Sequence, residues 1–299
     1  MITVFSRILP MFSSILASVS SSSGFMAGIN MEAADFWGKC REFAVRHKAD
    51  GILAYMYMMQ HCAKGSMPLT RETLRELGRT VEFFPGVETW FSRVNRIGDE
   101  NGADVEHYII SSGLTEIIEG SLIGDRFKAV FASSFCYDEE GRPMWPATDV
   151  NYTSKTQYLF RINKGILDVT NDIDLNAYTP EYKRRVPFAN MIYFGDGLTD
   201  VPTMKMTRQK GGYSIVVHAP GHTELSDDML VQGRADFSLE ADYSEGSELE
   251  QTVRELIARI VSGSVLGARH AGLFQRASER RGNVEPDMMP RSGIDEEEG

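Results

Sequence analysis

The first 31 residues contain neither aspartate nor glutamate. Whatever that segment contributes, it cannot supply a carboxylate. Cysteine is scarce too: Cys40, Cys62 and Cys136 are odd in number, far apart and without metal-ligand or redox spacing. That disfavours a disulfide framework and fits three reduced thiols in a cytoplasmic protein. Positive charge is in deficit, with 31 Lys and Arg against 42 Asp and Glu and a formal net charge of −11. Such a balance disfavours nucleic acid as a main partner, because phosphate backbones need clustered cations. A small phosphorylated ligand needs only a local positive site. No apolar run is long enough to span a bilayer, so no membrane partner is expected. The stretch Ile8 to Val19 has some character of a signal peptide, but Pro10 and several serines interrupt it and only Arg7 precedes it.

What is present supports a folded chain. Of 299 residues, 42% are hydrophobic, enough for a large domain plus a smaller insertion. Ala33 to His47 places Phe36, Trp37, Cys40, Phe43 and Ala44 at helical spacing. Asp50 and Thr70 read as N-caps of two further helices. After the Phe84-Pro85-Gly86-Val87 punctuation, another helix is expected over Glu88 to Ile97. From residue 105 strands and helices alternate, which predicts an α/β fold with a mostly parallel, three-layer sheet. Phe127 to Phe135 and Met144 to Val150 flank a turn and predict a hairpin. Ser247 to Val261 is amphipathic, with Leu249, Val253, Ile257 and Ile260 on one face. The polar residues beyond predict a disordered tail over 271–299.

The most informative string is Met191-Ile192-Tyr193-Phe194-Gly195-Asp196-Gly197-Leu198-Thr199-Asp200. A buried strand delivers Asp196 to its carboxyl end, where ligands of α/β sheets collect. The glycines permit a tight loop. Asp196 and Asp200 together suit a hard cation such as Mg²⁺. The plain alternative is an Asp-Gly turn with Asp200 as a helix cap.

This string resembles the fourth motif, GDGxxD after a strand, of the haloacid dehalogenase superfamily. Three other segments fit. Ile109-Ile110-Ser111-Ser112-Gly113 is similar to the second motif, a strand ending in Ser or Thr; otherwise Ser111 is a helix cap. By resemblance, Ser111, Ser112 and Gly113 bind phosphate together with a third-motif lysine. Lys155, near a helix start, matches best, and Lys164 is second; either is otherwise a surface charge. The helices of 31–84 match the place of an inserted α-helical cap, as in phosphoserine-phosphatase-like members. A run of Tyr55 to Met59 there is either pocket lining or plain core. The resemblance implies a Rossmann-like core over 85–270, a Mg²⁺ cofactor and a small phosphomonoester substrate.

One part of the pattern is missing. The family's first motif, DxDx(T/V), carries the aspartate nucleophile and the general acid–base. It belongs before the cap, in the region that lacks carboxylates. Asp172-Ile173-Asp174 has the letters but follows Thr170-Asn171 rather than an apolar strand, so a turn is expected there. Residues 1–30 are therefore atypical, either disordered or replacing the first core strand, with 2–9 or 12–19 as candidates. Two readings follow. One is a Mg²⁺-dependent phosphatase whose nucleophile segment lies outside this sequence, so that the chain as written is inactive. The other is a catalytically dead scaffold that holds a phosphorylated ligand or a protein partner.

Overall fold

The computed structural model describes residues 2–5 and 24–281. Its centre is a seven-stranded sheet. In chain order the strands are β1 (Ile2–Phe5), β2 (Glu106–Leu114), β3 (Ala129–Tyr137), β4 (Pro143–Thr148), β5 (Met191–Gly195), β6 (Tyr213–His218) and β7 (Phe237–Glu240). Across the sheet they run β4-β3-β2-β1-β5-β6-β7. All pairings are parallel except β3–β4, the expected hairpin. Of the two stretches proposed to fill the first-strand position, the earlier one does so: Ile2–Phe5 pairs with both β2 and β5. The apolar stretch from Ile8 to Val19 lies outside the described residues.

The helices are α1 (Phe25–Gly28), α2 (Ala33–His47), α3 (Gly51–Ala63), α4 (Arg71–Arg79), α5 (Val87–Glu100), α6 (Thr115–Gly120), α7 (Ser154–Lys164), α8 (Asp172–Asn176), α9 (Val201–Gln209), α10 (Glu224–Val231) and α11 (Glu248–Arg281). One face of the sheet is covered by α5 and α11, through Trp90, Val94, Ile97, Val253, Ile257 and Ile260. The other is covered by α7, α9 and α10, through Tyr158, Leu159, Ile162, Met204 and Met229. Strand β5 and the middles of β2 and β6 are buried on both faces and so read as nearly continuous apolar runs. Trp90 meets Tyr243 edge-on at 5.1 Å. Arg93 and Glu250, both nearly buried, pair at 2.6 Å and fasten α5 to α11.

The helices before residue 80 have their own core, built from Phe25, Phe36, Cys40, Met56, Met59 and Leu74 and closed against Leu114, Ile117 and Phe135. Asp50 caps α3 through Ile52 N, and Thr70 with Thr73 forms a capping box on α4. Of the Tyr55–Met59 run, only Tyr57 faces outward; the others are buried as core. Helix α4 crosses α6 at glycines: a Cβ on Gly78 would lie 2.2 Å from Ile117 O, and one on Gly120 would lie 2.1 Å from Arg75 O.

Two expectations are corrected. The tail does not begin at residue 271, because α11 continues to Arg281; residues 282–299 lie outside the described residues. The hydrophobic pattern stops at Ile260 because burial stops there, and the helix continues as an exposed rod. Asp172-Ile173-Asp174 is not a turn but the start of the short helix α8, capped by Asn171, where Asp172 pairs with Arg161. It is not at a strand end, so it cannot act as the missing motif. Among the described residues no helix is long and apolar enough to cross a membrane.

Candidate anion-binding site

Strand register sets the level of the site. Phe5 pairs with Ile109 on one side and with Phe194 on the other. Ser111 and Asp196 each follow two residues later, so they stand at the same height at the carboxyl end of the sheet. The strands that carry them flank β1 and are about 9.5 Å apart, two strand spacings. The residues after Phe5, beginning Ser6-Arg7, lie outside the described residues.

On the β5 side, Gly195 ends the strand and a single 3₁₀ turn, Leu198–Asp200, leads into α9. A Cβ on Gly195 would lie 2.7 Å from Asp200 Cβ, so this glycine is required for Asp200 to fold back against the strand. Gly197 is different: its backbone is extended and nothing lies near its missing side chain. Asp200 is fully buried. Its Oδ1 accepts from Lys155 Nζ at 2.8 Å and from Tyr193 Oη at 2.8 Å, and its Oδ2 accepts from Asp196 N at 3.2 Å. These donors, one of them cationic, converge on the carboxylate and hold it in place.

Lys155 comes from the first turn of α7 and is 2% exposed. Its ammonium also reaches Thr199 Oγ1 at 3.3 Å. The sequence candidates Lys155 and Asp200 are thus in direct contact. Lys164 is not part of this group. It lies at the far end of α7 and donates to the carbonyls of Leu175 and Ala177, closing the loop around α8. One α-helix cannot present both of its ends to one strand edge, and the residue at the start is the one that reaches the site.

On the β2 side, strand geometry persists to Leu114, but pairing with β3 jumps from Ser111 to Leu114. Ser111 is buried, and its Oγ accepts from Gly113 N at 3.0 Å. Ser112 Oγ is buried without a partner among the described residues. An orphaned hydroxyl beside an irregular strand end suits a bound polar ligand.

Asp196 is half-buried at the rim, with its backbone directed at Asp200. Burial first, and then the Asp196 charge, raises the Tyr243 phenol above its ordinary range. The described donor set falls short of a preformed Mg²⁺ centre. Asp200 is engaged by Lys155 and Tyr193, which leaves Asp196 as the rim carboxylate. Among the described residues no three His, Cys, Asp or Glu gather to hold a metal. Sequence reasoning missed Tyr193, whose place within an apolar strand marked it as core. Its offset of two from Gly195 on the same strand face was the available signal.

No protein-family profile matches the chain. It is 24% identical over 255 residues to an uncharacterized protein of Borreliella burgdorferi, covering 76% of this chain and 87% of that one. Among solved structures it is similar to a probable phosphoserine phosphatase from Vibrio cholerae, with a TM-score of 0.53 at 12% identity, covering 88% of this chain and 66% of that one. It is also similar to a HAD-family hydrolase from Salmonella enterica serovar Typhi, with a TM-score of 0.49 at 14% identity, covering 80% and 66%. The chain thus spans about two thirds of the length of each of these two structures. The fold is that of the haloacid-dehalogenase-type hydrolases: a Rossmann-like sheet carrying a helical cap.

Proposed function

We propose that the chain is a phosphatase-type member of the haloacid dehalogenase superfamily that binds small phosphomonoesters but does not form the aspartyl phosphate. The buried Lys155–Asp200 pair carries this reading. A lysine with 2% exposure is expensive to keep, and its contact with Asp200, in the loop that follows the carboxyl end of β5, supports its receiving a phosphoryl group.

In this reading the hydroxyls of Ser111 and Ser112 and the backbone of Gly113 hold phosphoryl oxygens from one side. Lys155 offsets their charge from the other, in a site where low dielectric strengthens the attraction. Asp200 and Tyr193 hold the ammonium in place. No carboxylate precedes Glu32, so in-line attack by an aspartate from the first strand has no source in this chain. Mg²⁺ ordinarily uses one or two protein carboxylates together with phosphate oxygens. Asp196 supplies one, so a cation would join with the phosphate ligand rather than ahead of it.

Calorimetric titration with inorganic phosphate, with and without Mg²⁺, tests the binding half. Turnover of a panel of phosphomonoesters tests the other half. Binding without turnover supports the proposal. Metal-dependent turnover would show that another residue serves as nucleophile, and no phosphate binding in either condition would remove the functional reading of Lys155 and Ser111.

A further inference from the structure

Helix α3 makes two long-range hydrogen bonds at and near its start, and both end beside the candidate site. The first is from Tyr55, whose hydroxyl donates to Ser112 O at 2.8 Å across 57 positions of sequence. Tyr55 is 1% exposed, and burial raises its phenol well above the ordinary range, so it remains a protonated donor. The second is from Asp50. Its Oδ1 caps α3 at Ile52 N, 2.7 Å away, while its Oδ2 accepts from Asn151 Nδ2 at 2.8 Å.

Asn151 lies three residues before α7 and is bonded to its first turn. Its carbonyl accepts from Lys155 N at 3.0 Å and from Ser154 Oγ at 3.0 Å, and its own N–H donates to Ser154 Oγ at 2.7 Å. A continuous chain of bonds therefore runs from Asp50 through Asn151 and Lys155 to Asp200. On the other side, Ser112 and Gly113 fall in the gap of the β2–β3 register. Among the described residues that segment has no β3 partner in the ladder, and the Tyr55 hydroxyl donates to one of its carbonyls.

We propose that Tyr55 and Asp50 are positioning residues, a two-point clasp by which α3 sets the Ser111–Gly113 segment and the start of α7 at the same time. Docking of the helical layer and assembly of the anion pocket are then one event. Undocking α3 frees both halves of the pocket together. The link to ligand affinity rests on the phosphate-binding reading; the mechanical coupling does not.

A third bond from α3 supplies the control. Gln60 Nε2 donates to Pro143 O at 3.2 Å, at the far end of the helix and on the β3–β4 hairpin. Hydrogen exchange followed by mass spectrometry on the whole chain compares Tyr55→Phe, Asn151→Ala and Gln60→Ala. Tyr55→Phe keeps the ring, and Asn151→Ala keeps the backbone carbonyl that accepts from Lys155 N. Exchange tracks the local opening equilibrium, and loss of one hydrogen bond speeds it by about two- to tenfold. The clasp predicts that Tyr55→Phe and Asn151→Ala each accelerate exchange in α3, in 111–115 and in 152–157. Gln60→Ala should accelerate only the end of α3 and the hairpin. Acceleration confined to α3 in the first two variants, or the same pattern in all three, overturns the proposal. Phosphate titration provides a second readout: affinity should fall in the first two variants and hold in the third. A wild-type chain that does not bind phosphate would fail the functional reading alone, and the exchange pattern would still decide the clasp.

Discussion

Removing Lys155 should be costly, and its structure says by how much. Lys155 and Asp200 have side chains 3% and 0% exposed and meet at 2.8 Å. In Lys155→Met the apolar stem is kept and the ammonium is lost. Asp200 still accepts from Tyr193 Oη and from Asp196 N. Breaking one side of a buried ion pair costs about 3–5 kcal/mol, because the remaining charge stays desolvated. The donors that stay in place put the effect toward the lower end. For a chain of this size that corresponds to a fall on the order of 10 °C in Tm. Asp200→Asn should cost a similar amount by stranding the ammonium. The double variant should cost about 2 kcal/mol less than the sum of the two, since neither charge is then left alone. Urea unfolding of the four proteins measures this. A loss below about 1 kcal/mol in Lys155→Met or additive single effects would refute a closed, buried pair, and with it the argument that this lysine is held for a ligand.

Tyr193→Phe should cost about 1 kcal/mol, the net worth of the hydrogen bond to Asp200, again by urea unfolding. Gly78→Ala should lose about 1–3 kcal/mol by forcing α4 off α6. Gly38→Ala, in open space on α2, should instead gain up to about 1 kcal/mol from helix propensity. Burial lowers the His107 imidazole from its ordinary 6.5 to about 4, and the neutral ring bonds Asn95 Oδ1 at 2.8 Å. Below about pH 6.5 the unfolded chain takes up this proton and the folded chain does not, so stability is full above that pH and falls as pH drops toward 4. Between pH 7 and 4.5, wild type should lose about 2.5 kcal/mol more than His107→Gln.

The fold was legible where structure is local or buried on both faces. The β5 loop reads from sequence because strand, glycine, aspartate and second aspartate lie within ten residues. Lys155 was separable from Lys164 because a helix has a start and an end. Tyr55 and Asn151 were not legible as partners of Ser112 and Asp50, because tertiary packing alone brings such distant positions together. The extension of α11 past Ile260 was missed for a related reason: periodicity reports burial, and an exposed helix carries little of it. Strand β7 and helices α9 and α10 were left unassigned because each is short, four to nine residues, within windows too narrow for a period to show.

The position of β1 has a consequence for how the molecule forms. Strands β2, β3 and β4 are close in sequence, as are β5, β6 and β7, so each half-sheet can grow by comparatively local steps. Ile2–Phe5 joins them by pairing with partners more than a hundred residues away on either side. The two closures differ in chain entropy by only about 0.5 kcal/mol, so neither has a strong head start. The strand holds a keystone position, bonded to both halves. Ser111 belongs to one half and Asp196 to the other, so the two share one level only through the strand that joins their halves.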